Sequence, residues 1–401
     1  MIQKQKKACN NLMNLSLRSY DKQALYSMIG SDIMIEVLLR LPLISLLQSR
    51  CVCKWWKNLI SDPVFISEYS RRNPHRRVWG FFLQKFLMCE IYSKLEFITC
   101  KGETDSAPKP NLSFIEDDNG VRIQHSCNGI LICSSFRCHE EDRKYYICIP
   151  ATKQYKPLPK PDCNSVYSIN IAYDPQVSPD HKVICICDSQ LSTSQGCIKI
   201  YDSASGSWKI AENFPLASED LMFNRGVYWN GALHWVGKGN FSVGFNVENE
   251  NTFIMRMPPI PEGYSERRLA YFGKSGGHLF LIEIYGPNTT RFDVMEMKSD
   301  YSGWFVKYRV DLGSLVYSFP EMVRNDVQPL HRYMFTVLHL FDHQLGDRDG
   351  SYMVLHIPGR FILYNFEDGS FTSQVCSLDS SLGLWYSWES VYPYANYLSY
   401  I

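Results

Sequence analysis

Nowhere in its 401 residues does this chain approach the roughly 18 consecutive apolar positions that a membrane-spanning helix needs. It also has no net charge, since 41 Lys and Arg balance 41 Asp and Glu. With no overall field, neither nucleic acid nor a membrane surface is indicated as a partner. The start, Met1-Ile-Gln-Lys-Gln-Lys-Lys7, has no apolar core of a secretory signal. The 14 cysteines lack the spacing of a disulfide scaffold, so reduced thiols in a cytoplasmic or nuclear protein are expected. Acceptor sequons at Asn14, Asn111, Asn240 and Asn288 then carry no weight. Residues 1–20 hold no acidic residue, which leaves a transit peptide or a disordered leader as alternatives.

Catalytic signatures are scarce too. Gly273-Lys274-Ser275 ends like a phosphate-binding loop, but Arg268 stands where its first glycine is required. There is no His-Glu-x-x-His zinc helix. His125, Cys127, Cys133, Cys138 and His139 cluster along the chain without a Cys-x-x-Cys pair, so neither a metal nor another cofactor is expected. Cys185 and Cys187 alternate onto one strand face and read as core. The basic run Arg71-Arg-Asn-Pro-His-Arg-Arg77 reads as a solvated helix end rather than an import signal.

What is present divides into two halves. Ser31 and Asp32 suit a helix start, and Ile33, Val37, Leu38 and Leu41 follow at helical spacing. Pro42 breaks that stripe and can open a second helix carrying Leu43, Leu46, Leu47 and Cys51. A third helix is predicted over Lys54–Ile60, and a fourth from Asp62-Pro63 to about Tyr69. Four short helices bury little alone, so the unit is expected to present apolar surface to a partner.

From about residue 78, β-branched and aromatic runs alternate with turns, and aromatics reach 14% of the chain. Asn230-Gly231 between Val227-Tyr-Trp229 and Ala232-Leu-His-Trp235 predicts a two-residue hairpin; Asn128-Gly129, Asp349-Gly350 and Asp368-Gly369 mark further turns. A strand, turn-rich loop and aromatic recur at Ile200–Trp208, Gly244–Phe253 and Leu363–Phe371, more weakly at Ile149–Tyr155, with a degenerate copy near Met297–Trp304. The anchors Pro150, Asp202, Asn246 and Asn365 imply a period of about 45–50 residues, as in propeller blades. About six or seven blades fit; a large sandwich of ordinary hairpins is the alternative.

Residues Ser31–Phe65 resemble the plant F-box, through Leu41-Pro42, Ser45-Leu-Leu47, Arg50-Cys-Val-Cys-Lys54, Trp56 and Ser61-Asp-Pro63. The remainder resembles the F-box-associated β domain, a kelch-like, propeller-type module, through Tyr228–Trp235, Ile200–Trp208 and Pro150–Pro159. The expected architecture is an α+β multidomain chain: a leader at 1–24, an F-box helical domain at 25–70, a linker with first strands at 71–115, and an all-β, propeller-like domain at 116–401. The resemblance implies a non-catalytic substrate-recognition adaptor of a Skp–cullin–F-box ubiquitin ligase. A propeller-scaffold enzyme, or an F-box protein acting outside a ligase, is the alternative. The expected Skp-adaptor interface is Ile33, Leu41, Pro42, Leu46, Leu47, Val52 and Trp56. An unknown protein substrate is expected at loops Tyr285–Arg291 and Asp342–Asp349. The family's opening Leu-Pro reads Ile29-Gly30 here, which loosens that anchor.

Overall fold

Local capping sets the helices of the first unit. The computed structural model describes residues 31–73, 78–85, 94–99, 110–136, 138–189, 192–215, 221–265, 267–286, 288–324, 332–342, 350–375, 391–395 and 398. It divides into two units, at Met1–Pro74 and His75–Ile401. Helices α1 (Ser31–Leu39), α2 (Leu43–Ser49), α3 (Lys54–Ile60) and α4 (Pro63–Arg72) make up the first. Pro42 lies at the N-cap of α2, one residue earlier than the pattern implied. The Cys53 sulfur accepts from the Trp56 amide at the start of α3. Asp62 accepts from the amides of Val64 and Phe65, and Pro63 opens α4 where no N–H is needed. The Tyr69 hydroxyl donates to the Leu41 carbonyl at 2.7 Å, tying α4 to the α1–α2 junction. Arg71 and Arg72 are spent on carboxylates, pairing with Glu68 and, for Arg72, also Glu36.

The second unit is a six-bladed β-propeller. Five antiparallel sheets have four strands each: β3–β6 (Val121–Cys127, Ile130–Ser135, Tyr145–Ile149, Gln154–Leu158), β7–β10 (Val166–Ala172, Lys182–Ser189, Ser192–Asp202, Ser207–Pro215), β11–β14 (Val227–Trp229, Ala232–Trp235, Phe241–Asn246, Asn251–Arg256), β15–β18 (Leu269–Ser275, His278–Glu283, Arg291–Met297, Trp304–Asp311) and β19–β22 (Thr336–Phe341, Tyr352–Ile357, Arg360–Asn365, Phe371–Val375). The sixth joins β23 (Val391–Ala395) to β1 (Val78–Lys85) and β2 (Lys94–Thr99), so the last strand pairs with the first. The stretch at 71–115 therefore contributes two strands of the closing blade.

Each neighbouring pair of blades shares an apolar core. Ile130, Ile132 and Ile147 of β3–β6 meet Ile169, Ile171 and Val183 of the next blade. Ile184 and Ile198 then meet Leu233, Trp235 and Phe245. Trp229 and Met255 meet Leu279 and Leu281, and Phe280 and Ile282 meet Val337 and Met353. Leu338 and Phe361 meet Phe81 and Leu83, and Phe82, Phe97 and Tyr394 meet Leu131 and Cys148. Six interfaces close the circle, which settles propeller against sandwich. Strands covered on both faces need apolar residues on both, hence uninterrupted runs such as Tyr145-Tyr-Ile-Cys-Ile149, buried throughout.

The repeat seen in the sequence is the third-to-fourth-strand hairpin of the five four-stranded blades: β5–β6, β9–β10, β13–β14, β17–β18 and β21–β22. The long gap between Asn246 and Asn365 spans two periods, with Met297–Trp304 as the intervening copy. Its aromatics sit on outer strands and are half-buried, not fully buried. Trp208 donates to the Pro159 carbonyl at 2.7 Å and Trp304 to the Arg256 carbonyl at 3.1 Å, stitching each blade rim to the one before. Phe253 instead lies over Gly244, whose absent Cβ would fall 2.2 Å from the ring.

Two outcomes follow for stability. A Cβ on Gly80 of β1 would stand 2.2 Å from the Ile98 carbonyl oxygen. Gly80→Ala is expected to cost about 1–3 kcal/mol, read in urea melts of the full chain; an unchanged midpoint would mean that the backbone yields freely there. Burial holds His125, His234 and His339 neutral, with pKa values of about 4, 4 and 3 against an ordinary 6.5. The unfolded chain binds more protons than the folded one below pH 6.5, so stability present above that pH is lost as pH falls towards 4. Melting temperature is expected to hold above neutrality and fall steadily below it; a flat profile between these values would contradict the assignment.

Candidate functional site

The helical unit exposes apolar side chains that its own packing leaves over. Leu38, Leu39, Leu46, Ile60, Phe65, Ile66 and Tyr69 form its core. Ile33, Val37, Ile44, Val52, Trp55 and Val64 are exposed, with Val52 at 59%. Of the expected interface residues, Ile33, Pro42 and Val52 are exposed, while Leu41, Leu47 and Trp56 are half-buried. The structure instead places Leu46 at 0% exposure in the unit's own core. Helical spacing alone could not separate it from its neighbours, because α2 is short and presents apolar residues around most of its circumference. Val37, Ile44 and Trp55, outside the expected interface set, are exposed as well. Ile29 and Gly30 lie outside the described residues.

The propeller offers two axial ends, and strand polarity assigns each loop to one of them. Links between first and second strands, and between third and fourth, share an end. Links between second and third strands, and between blades, share the other. At the first end, three of the blades turn tightly between their first two strands, whereas the β7–β8 and β19–β20 links are longer. Asn128-Gly129, Asn230-Gly231 and Gly276-Gly277 each have positive φ at both positions, as their hairpins demand. They are fastened to the next blade: the Asn128 amide donates to the Tyr173 carbonyl, and the Trp229 indole donates to the Gly277 carbonyl, both at 2.7 Å. Gly273-Lys-Ser-Gly-Gly277 also spells a Gly-x-Ser-x-Gly pattern, but it runs from β15 through a hairpin into β16 and not into a helix. The Ser275 hydroxyl accepts from the Asp342 amide at 3.0 Å.

The second end carries the longer segments. A 3-10 turn, Phe223–Arg225, between β10 and β11 reaches the inner strands of three blades. His125 of β3 bonds the Gly226 carbonyl at 2.6 Å and accepts from the Ile171 amide of β7. Arg225 lies 5.2 Å over the ring of Tyr392 in β23. At the rim, Arg267 and Glu283 form a buried ion pair at 2.5 Å, with the Arg267 Nε also donating to the Gly239 carbonyl. Glu283 accepts from the Tyr285 hydroxyl, whose ring packs 4.9 Å from Tyr264. Arg291 closes the same loop on Asp311 at 2.8 Å. The expected substrate loop Tyr285–Arg291 is thus held on a buried charge pair. The other expected loop, at 342–349, joins β19 to β20 and belongs to the opposite end; all of it but Asp342 lies outside the described residues. A short helix, α5 (Gly313–Ser318), was not anticipated from sequence. It follows β18, and the Leu312 amide bonds the Thr290 carbonyl of the Tyr285 loop. Tyr317 on α5 is 89% exposed.

Polar clusters elsewhere are structural. Lys307 bridges Glu296 at 2.7 Å and Asp342 at 2.8 Å, and His278 caps the other Glu296 oxygen. These carboxylates are neutralised between two blades and do not face an open mouth. The His125/Cys127/Cys133 sequence cluster is dispersed by the strand register. Cys133 pairs with Cys148 at 3.7 Å, while the Cys127 sulfur meets the Tyr173 carbonyl. A different set, Cys163, Cys185 and Cys187, is brought together.

Comparison with known proteins agrees with this geometry. Residues 27–68 match the F-box domain, and residues 80–312 match the F-box associated beta propeller domain. The ring continues beyond that match, with β19–β22 and the closing strand. The chain is 30% identical to F-box protein At5g07610 of Arabidopsis thaliana, over 87% of this chain and 86% of that protein. F-box protein At5g49610 of the same plant is 27% identical over 63% of this chain and 71% of its own length. Among solved structures, TolB from Acinetobacter baumannii aligns over 78% of this chain and 68% of its own at 9% identity, with a TM-score of 0.41. An F-box followed by an associated propeller, in this order and over most of the length of an Arabidopsis relative, places the chain in the family of F-box proteins with an F-box associated β-propeller domain.

Proposed function

We propose that this chain is the substrate-recognition subunit of a Skp–cullin–F-box ubiquitin ligase, acting in the cytoplasm or nucleus. Its family supports an adaptor role in general. The specific reading is that the helical unit binds a Skp-type adaptor and, through it, a cullin, while the propeller holds a protein substrate for ubiquitin transfer by other subunits. The observation that carries this reading is the surplus of exposed apolar side chains on the helical unit, at Ile33, Val37, Ile44, Val52 and Trp55. Such a surface suits helix-in-groove recognition. In this reading the chain has no catalytic step of its own.

Ile33→Asp and Val52→Asp should each weaken Skp-type adaptor binding at least about tenfold, as expected for charge placed in an apolar contact. Their melting temperatures should stay near that of the parent, because both side chains are exposed. Leu46→Ala should instead lower the melting temperature, by about 2–5 kcal/mol of stability, since it empties a core position. Adaptor titrations on the full-length chain distinguish these effects; undiminished binding by both Asp variants would place the adaptor site elsewhere.

Substrate capture is assigned to the end that carries the Tyr285–Arg291 loop and α5. Tyr317→Ala should reduce recovery of ubiquitinated proteins from plant extract while leaving adaptor affinity and melting unchanged. Equal recovery from the parent and from a variant lacking both Tyr317 and the loop's side chains would move recognition to the other end or to the blade rims.

A further inference from the structure

Three cysteines that are distant in sequence share one place in the blade β7–β10. The sulfurs of Cys163, Cys185 and Cys187 all lie within 4.8 Å of one another. Cys185 and Cys187 alternate onto one face of β8, and Cys163 comes from the loop between β6 and β7. Across the ladder, Cys197 of β9 stands directly opposite Cys187, and directly opposed residues share a sheet face. Cys197 belongs to the same packed cluster. The chain thus gathers four of its 14 cysteines at one sheet end.

A disulfide would use only two of these sulfurs, and a purely apolar role would not require a loop to bring in a third. The loop is also held in place. Asp188 accepts from the amides of Asn164 and Ser165 at 3.1 and 3.0 Å, immediately after Cys163. Lys199 stands opposite Cys185 in the ladder, on that same face, and its ammonium donates to the Asp162 carbonyl. A buried cation therefore sits beside the position where thiolate charge would accumulate. Sulfurs around a tetrahedral zinc ion lie about 3.8 Å apart, given zinc–sulfur bonds of about 2.3 Å. The observed trio needs a contraction of no more than about 1 Å to reach that spacing. Cys163 is only half-buried, which gives an ion a way in from solvent.

We propose that Cys163, Cys185 and Cys187 form a three-sulfur binding site for a thiophilic divalent cation of the zinc class, with the fourth position open to solvent beside half-buried Cys163. Binding converts the thiols to thiolates, releases their protons to solvent and involves no change of oxidation state. The role is independent of the adaptor reading, because the site belongs to the blade's own sheet. It would pin the loop between β6 and β7 at the axial end that carries the longer segments.

The test uses the reduced full-length chain and two probes. Titration with Co2+ should give the visible spectrum of a tetrahedral cobalt thiolate at one ion per chain, bleached by one equivalent of Zn2+. Cys163→Ser, at a half-buried loop position, should weaken uptake at least about tenfold, no less than loss of an outer-shell partner of a metal ligand does. Cys133→Ser, from the separate Cys133–Cys148 pair, should leave uptake unchanged. On the parent protein, alkylation followed by peptide mass spectrometry should show Zn2+ protecting Cys163 but not exposed Cys51, a measurement that needs no variant to fold. The proposal is overturned by absence of the cobalt thiolate spectrum, by uptake that survives Cys163→Ser, by Cys163 labelling indifferent to Zn2+, or by a disulfide joining Cys163 to Cys185 or Cys187.

Discussion

The pairing of β1 with β23 is the constraint on which the propeller depends. It joins Phe81 to Pro393 and Phe82 to Tyr392 across nearly the whole length of the β unit. Closing so long a loop costs entropy, but the cost grows only logarithmically with length. What it secures is the last of six apolar interfaces, with Phe82, Phe97 and Tyr394 on one side and Leu131 and Cys148 on the other. Without the closure, two blades would each lose a covered face and expose strands that are apolar on both sides. The aromatic edge contacts around Tyr394, at 5.5 and 6.1 Å to Phe82 and Phe97, make this junction tight.

Ring closure also divides the unit into two unequal ends. At the end with the Asn-Gly and Gly-Gly turns, paired positive φ values and hydrogen bonds to the next blade leave three of the hairpins little chain free to vary. At the other end, the interblade segments are longer and contain the 3-10 turn that meets three inner strands, the Arg267–Glu283 pair and α5. Surface freedom for recognising a partner is concentrated there, on a scaffold made rigid by the blade cores. A buried ion pair contributes modestly to net stability, because desolvation opposes attraction. Its value at Arg267 is positional: one guanidinium fixes Glu283, Gly239 and Pro258 together.

The helical unit follows the opposite economy. Its four helices are short, and Tyr69, Leu38 and Leu46 fill a core too small to cover all the apolar residues that the sequence supplies. Exposed Ile33, Val37 and Val52 are therefore a feature of size as much as of sequence, and a partner surface is the natural place for them. The ion pair Arg72–Glu36 joins the first and last helices without adding apolar area, and Glu68 holds the same guanidinium from within the last helix.

Much of the fold was legible in the sequence. Asp62-Pro63 fixed a helix start because a side-chain acceptor and a ring without N–H are local devices. Asn230-Gly231 fixed a hairpin because positive φ at two successive positions is a local demand. The recurring turn and aromatic gave the blades. Tertiary structure alone decided the rest. Whether Leu46 faces inward or outward depends on which helices close around it. The loops at Tyr285 and Asp342 look alike as sequence, yet strand polarity sends them to opposite ends. The cysteines divide the same way: Cys127 and Cys133 are near in sequence and separated by strand register, whereas Cys163 and Cys187 are far apart and meet. Local chemistry is written residue by residue, but which side chains share a space is set by pairing register and ring closure, and neither is a property of any short segment.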